Sequence, residues 1–418
     1  MIDNLQEYLI LFCFFMWLIP LLYVKIKYPF WSNQPIFHTY DILRHYYSSL
    51  QSAPYVIQNR LPPKSRYFST KVITDKFLDI SEETLRKVID FLQSHYVESD
   101  MVLSMINREI LTDELSGTLH PSFLSLMNEK QTDYVISDAG LVSKEKDVLM
   151  GCMTSRSTQL FLLHQSQSFR RILYFWDHIC THRKESHRYL GRNLIQSHEH
   201  YQRIHNKDIQ SSIFKREGNL CEGVVPLMQY IIYTFPIVHI KQPPLHPYTL
   251  QKVQASNTSL LHDFLYSMTH NNKQTTFSLC IFPEMDVLDN LIQKERLHIY
   301  VMSYQSNVSA VYFLKDPHMY YHVNGNERRI IECIASVKFD FVQDDGIFFA
   351  GFLHALHEQQ KQDKFELVTF HESSHNYMIT ERWKWKYHFV SSSKGAYYAY
   401  NMVVPGMPFH SSNCFVLT

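Results

Sequence analysis

The chain has 418 residues, with 40 Lys and Arg balancing 40 Asp and Glu, 45% hydrophobic and 14% aromatic residues. That length and apolar content exclude a disordered chain or a disulfide-stapled miniprotein and predict two or three domains. Zero formal charge argues against nucleic-acid binding through bulk electrostatics, which needs a Lys and Arg surplus. The seven cysteines stand singly with no CxxC pair, as reduced thiols do, while 11 Gly are few and 24 His are many.

The first element, Leu9 to Val24, is an uncharged apolar run between Asp3 and Glu7 on one side and Lys25 and Lys27 on the other. Its acidic front and bulky, basic exit are unlike a cleaved signal peptide. The expectation is an uncleaved transmembrane anchor over 1–27, with the main body on the cytosolic side by the positive-inside tendency. Pro20 leaves a kinked or re-entrant insertion open.

Residues 28 to about 71 lack periodicity. Ser81 is then a good N-cap for a helix carrying Leu85, Val88, Ile89 and Leu92 on one face. The β-rich runs 148–153, 157–163 and 170–182 predict an antiparallel meander, followed by a charged turn and a helix from about Asn193. A Pro-, Gln-, Thr- and Ser-rich stretch from Phe235 to Asn257 predicts a joint between domains at 28–240 and 241–418. The second half repeats nearly the same order of elements, which suggests a structural duplication.

A strand entering a basic turn that opens a helix is an anion-site pattern, because the first helical N–H groups point at the ligand. Its candidates are Arg183, Lys184, Arg188 and the backbone from Tyr189 through Leu190 and Gly191 to Arg192, with Gly191 allowing close approach of a phosphate. A solvated basic turn is the alternative. Two histidine patterns invite a metal reading and fail it. His178 and His182 lie four apart in a β-rich run, about 13 Å distant, and HESSH (His371 to His375) has strand and loop flanks where a zincin needs a helix.

The segment CTHRKESHRYLGRNLI (Cys180 to Ile195) resembles the acyl-CoA pyrophosphate loop of glycylpeptide N-myristoyltransferases. In the same order, PFWSNQP (Pro29 to Pro35), LDISEETLRKVIDFLQSHYVESD, CEGVVP (Cys221 to Pro226) and the ending CFVLT are similar to other segments of that family. The resemblance implies an α/β (α+β) fold of two tandem acyl-CoA N-acyltransferase domains of the GCN5-related type. The first would bind myristoyl-CoA or another long-chain acyl-CoA, and the second would form the peptide groove. The reaction implied is transfer of the acyl group to the α-amine of an N-terminal glycine, with a membrane and glycine-initiated proteins as partners and neither metal nor nucleic acid.

By the same resemblance, the backbone N–H groups of His178 and Ile179 form the oxyanion hole and the Thr418 carboxylate is the base. Asp177 and Cys221 take the places of an Asn and a Thr that assist the amine, and Phe30 and Trp31 flank the thioester and pantetheine. Departures are Asp177, Cys221, and Glu185, Ser186 and Tyr189 in the phosphate loop, which Arg183, Arg188, Arg192 and His187 partly offset. They keep open an acyltransferase with altered donor or acceptor, and a catalytically silent scaffold of the same fold.

Overall fold

A computed structural model describes residues 16, 18–97, 102–137, 140–164, 167–183, 187–238, 240–270, 277–305, 307–323, 326–339, 342 and 344–418. Of the apolar run Leu9 to Val24, residues 9–15 and 17 lie outside these. Residues 18–27 are helical, and Ile19, Leu21, Leu22, Tyr23 and Ile26 on that helix are exposed. Among the described residues no helix is long and apolar enough to cross a membrane.

In the first half come α1 (Ile42–Leu50), β1 (Tyr55–Val56), β2 (Val72–Lys76), α2 (Glu82–His95), β3 (Val102–Ser104), α3 (Arg108–Leu115), β4 (Phe123–Ser137), β5 (Gly140–His164), β6 (Gln167–Thr181), α4 (His187–His205), β7 (Ser212–Glu217) and β8 (Met228–Pro236). The second half contains β9 (Thr249–Lys252), α5 (Ser259–His270), β10 (Leu279–Pro283), α6 (Met285–Gln293), β11 (Leu297–Tyr304), β12 (Asn307–Lys315), β13 (Met319–Val323), β14 (Asn326–Lys338), α7 (Asp345–Gln362), β15 (Leu367–His371), α8 (Asn376–Lys384), β16 (Ser391–Tyr400), β17 (Met402–Val403) and β18 (Cys414–Val416).

The duplication is visible in the pairing. β2 pairs with β4, and β4, β5 and β6 form an antiparallel meander; α4 then crosses over to β7, parallel to β6. Downstream, β9 pairs with β11, β11, β12 and β14 form the meander, and α7 crosses over to β15, parallel to β14. One continuous sheet joins the halves, because β16 pairs with both β7 and β8, and β10 pairs with β5.

Local chemistry explains most of these elements. Ser81 caps α2 by accepting the Thr84 N–H, and Leu85, Val88, Phe91 and Leu92 are its buried face. The runs 148–153 and 157–163 are one strand, not two. The polar residues between them, Thr154, Ser155 and Arg156, are buried inside β5 and make no turn. The helix expected from Asn193 starts at His187, so Gly191 is a helical residue. At the C-terminus Phe415 and Leu417 enter the core of the second half, and Val416 enters that of the first. Each buried side chain of this size contributes about 1.5–3 kcal/mol, enough together to pin the last residue.

Candidate active site

The β5–β6 ladder is interrupted once. Cys152 pairs with Cys180 and Thr154 with Asp177, so His178 and Ile179 together face Met153 as a bulge. His178 has φ 49, a left-handed conformation that a non-glycine residue holds at a cost. Its N–H, expected to face a thioester oxygen, donates to Asp177 Oδ1 at 2.9 Å. The buried imidazole has Nδ1 2.9 Å from Thr154 Oγ1 and Nε2 3.8 Å from Glu114 Oε2. Tyr96 lies against it, ring centroids 5.5 Å apart.

On the other side of the bulge, Ile179, Trp31 and Cys221 pack against one aromatic cluster built on Tyr174, Trp176, Phe214 and Tyr398. Trp31 stacks on Phe214 with centroids 5.7 Å apart, and Phe30 is buried edge-on between Trp31 and Tyr67. The Arg192 guanidinium lies 5.9 Å from the rings of both Phe30 and Tyr67. The Cys221 N–H donates to the Tyr398 hydroxyl at 3.0 Å, and burial pushes its thiol up to about 12. Cys221 therefore sits on the aromatic side of the bulge.

The basic segment is only partly as the sequence suggests. Lys184 lies outside the described residues, as does the side chain of Arg188. Arg183 donates to the Val97 carbonyl, Tyr189 is exposed, and Leu190 is buried against Val72 and Leu194. The glycine needed for close approach is Gly151, where a Cβ would lie 2.7 Å from Leu194 Cδ1 and 3.0 Å from the Cys180 carbonyl. At Gly191 the nearest atom would be 4.0 Å away.

A buried ionic network links the bulge to Thr418. Lys315 Nζ donates to the Thr418 main-chain oxygen at 3.4 Å and lies 3.2 Å from Glu114 Oε1. Arg156 stands 3.9 Å from Glu114 and 3.4 Å from Asp177. Burial alone would push both carboxyls up. Lys315, Arg156 and His178 outweigh that at Glu114, and His178, Arg156 and Lys315 do so at Asp177, holding both below the usual carboxylate range. Glu114, Asp177 and His178 also bring metal-ligand atoms within 4.8 Å of one another, but Arg156 and Lys315 already balance those carboxylates.

Beyond Thr418, its hydroxyl lies 2.8 Å from the Tyr397 hydroxyl. A polar cavity there is lined by Tyr230, His371, Ser373 and Tyr397, and an apolar one on the other side by Val287, Leu291, Leu297 and Leu417. His371 ends β15 and His375 precedes α8, so HESSH is not a helical pair; the His375 Nδ1 accepts the Lys338 N–H at 2.8 Å.

The structure thus brings together Asp177, His178 and Thr418, sets Phe30, Trp31, Ile179 and Cys221 on the opposite face, and adds three residues the sequence reading missed. Of these, Arg156 had a signal, as the only charged residue from Val148 to Leu163. Glu114 and Lys315 come from distant elements and had none.

No protein-family model matches the chain, and no curated protein matches it in sequence. Solved structures do match in fold. Saccharomyces cerevisiae N-myristoyltransferase with bound myristoyl-CoA superposes with a TM-score of 0.65 at 12% identity, over 93% of this chain and 93% of that one. A second structure of that protein with myristoyl-CoA gives 0.65 at 12% identity, over 94% and 99%. A third, also with inhibitors, gives 0.63 at 11% identity, over 93% and 93%. The chain has the N-myristoyltransferase fold.

Proposed function

We propose that the protein is an acyl-CoA N-acyltransferase that moves a long-chain acyl group, myristoyl in the first instance, from CoA to the α-amine of an N-terminal glycine. The observation that carries this reading is the position of the β6 bulge. On the fold of a myristoyl-CoA-binding enzyme, His178 and Ile179 lie between an aromatic face holding Phe30 and Trp31 and the ionic network that ends at Thr418.

The thioester would lie along the aromatic face, its carbonyl oxygen turned to the bulge amides, where preorganised N–H groups stabilise developing negative charge. For the His178 amide to serve, the Asp177 carboxylate must leave it. The CoA phosphates would be met by the first turn of α4 and the backbone of Tyr189, Leu190 and Gly191, with Arg183, Lys184, Arg188 and Arg192 as the cations the sequence supplies in this segment.

The acceptor amine would lie against Thr418, whose carboxylate holds and deprotonates it. Around Thr418 and its two cavities Arg156, Lys215 and Lys315, with His371 beside Glu332, face the carboxylates of Glu114, Asp177, Glu217 and Glu332 and that of Thr418. The surplus negative charge favours a cationic acceptor. Asp177 supports ammonium binding here, while Cys221 would act from the aromatic side.

We further propose that the run Leu9 to Val24 tethers the protein to a membrane, its domains on the cytosolic side. The exposed apolar residues from Ile19 to Ile26, followed by Lys27, support this. The test combines labelled myristoyl-CoA with a glycine-initiated peptide, using the chain as it is and a chain extended by one residue after Thr418. Transfer that disappears on extension supports the reading. Undiminished transfer refutes the carboxylate assignment, and no transfer by either refutes the activity and favours a scaffold.

A further inference from the structure

Helix α1 presents its apolar side to solvent. Ile42, Leu43, Tyr46, Tyr47 and Leu50 are each between 53% and 79% exposed, and at about 100° per residue they fill one arc of roughly 140°. The polar residues take the inner side. Arg44 Nη1 donates to the Ile36 carbonyl at 3.2 Å and its Nε lies 3.3 Å from Asp41 Oδ2. Ser48 is buried, and His45 lies against Phe37 with ring centroids 4.4 Å apart. A helix on the surface of a soluble protein shows the reverse pattern, so this stripe is built to meet an apolar partner.

The place of α1 in the fold identifies that partner. The helix over residues 18–27 runs into Tyr28, whose N–H donates to the Val24 carbonyl at 2.8 Å. The Tyr28 ring stacks on Tyr40, centroids 5.9 Å apart, two residues before α1 begins. The exposed apolar residues from Ile19 to Ile26 and the α1 stripe are thus joined through one pair of rings. Cations gather at the junction: Lys27 Nζ lies 5.3 Å from the Tyr28 ring, Lys25 Nζ donates to Asn33 Oδ1, and Arg66 Nη2 donates to the Pro29 carbonyl. Glu222, next to the glycine on which Tyr28 packs, is the acid beside them. Tyrosines and a surplus of Lys and Arg flanking an apolar surface suit the headgroup region of an anionic bilayer. Length points the same way. The 16 residues from Leu9 to Val24 would extend about 24 Å as a helix against a hydrocarbon core of about 30 Å, and so short a run draws its flanks towards the headgroups.

We infer that α1 is a second membrane contact, an interfacial helix whose apolar stripe lies in the headgroup region of an anionic bilayer beside the N-terminal run. This rests on the tether proposed above for Leu9 to Val24 and adds to it a fixed orientation of the domains. Phe30 and Trp31 follow Tyr28 by two and three residues, so the aromatic face proposed for the thioester is held close to the bilayer.

The test uses the full chain in vesicles of equimolar phosphatidylcholine and phosphatidylserine, with a solvent-sensitive fluorophore on a single introduced cysteine. Cys13→Ser is the background, and its signal is subtracted. Leu22→Cys reports the tether, Leu43→Cys and Leu50→Cys report α1, and Lys361→Cys, exposed at the end of α7, reports a surface away from both. Expected at Leu22, Leu43 and Leu50 are a blue shift, quenching by a nitroxide-bearing lipid and loss of quenching by aqueous iodide, with none of these at Lys361. Ile42→Glu together with Tyr46→Glu should return the Leu50→Cys label to water and leave the Leu22→Cys label in lipid. A Leu22→Cys label in lipid with the α1 labels open to iodide overturns the inference and leaves the tether standing. So does a Leu50→Cys label that stays in lipid despite the two added carboxylates. Labels on α1 shielded from iodide yet untouched by the nitroxide lipid overturn it too, because a second copy or the chain's own N-terminus then covers the stripe. A Leu22→Cys label open to iodide overturns the tether and the inference together.

Discussion

The carboxylate of Asp177 accepts the N–H of the next residue, His178, at 2.9 Å. The amide proposed to face a thioester oxygen is thereby occupied by a charged acceptor. Hydrogen bonds to an ionised group are roughly twice as strong as neutral ones. Asp177→Asn keeps the shape and weakens the competitor by about 1 kcal/mol, so kcat should rise by about fivefold. Steady-state kinetics on a glycine peptide check this, and an unchanged or lower kcat would show that Asp177 does not hold the amide back.

Lys315 places a positive charge on the oxygen of Thr418 that an acceptor ammonium would approach. Like charges about 4 Å apart repel by about 1 kcal/mol even when fully solvent-screened. Lys315→Met should therefore lower KM for a glycine peptide by about fivefold, Arg156 still neutralising Glu114. A raised KM would mean that Lys315 orders the terminus more than it opposes the amine.

Gly151 and Gly191 make opposite predictions. Gly151→Ala forces a Cβ to 2.7 Å from Leu194 and 3.0 Å from the Cys180 carbonyl, separating α4 from β5; overpacking of this kind costs about 1–3 kcal/mol. Gly191→Ala meets only Thr181 Cγ2, in ordinary contact at 4.0 Å, within a helix and should stabilise by about 0.5–1 kcal/mol. Denaturant midpoints measure both. A loss of CoA affinity on Gly191→Ala would restore the close-approach role expected from the sequence.

Burial pulls His198 down to about 3, and His38 and His298 to about 4. Their unfolded pKa is 6.5, so below that pH the unfolded chain binds protons the folded chain refuses. Their stabilising effect is complete above 6.5 and falls away as pH drops through 4 towards 3. Glu199 acts oppositely. Burial raises it to about 7 from 4.5, so it gains a proton in the fold as pH falls between those values. Three groups against one predict a Tm several degrees lower at pH 5 than at pH 7, with net proton uptake on unfolding, measurable by calorimetry in buffers of different ionisation enthalpy.

Local information accounts for what the sequence made legible. The cap and apolar face of α2 depend on residues within one or two turns, and the apolar lead-in to Thr418 on three adjacent side chains. Helix α4 starts six residues before Asn193 because nothing in HRYLG breaks a helix once Leu190 has a core to enter. Glu114 and Lys315 were illegible for a different reason. Their meaning comes from a contact across 201 residues of chain, 3.2 Å in space, and neither has a neighbour in sequence that hints at it. The excess of histidine is likewise a tertiary matter, since His198 bonds Ser125 and His375 bonds Lys338 as polar packing residues.

The position of β16 makes the two halves topologically indivisible. A strand from the second repeat is paired on both sides by strands of the first, β7 and β8. A cut in the segment between β8 and β9 would thus nick the molecule without parting it. Either half made alone would instead present raw edges where β16 belongs, a template for self-association. The two repeats therefore share one sheet whose continuity depends on a strand from each, so removal of either takes a hydrogen-bonding partner from the other.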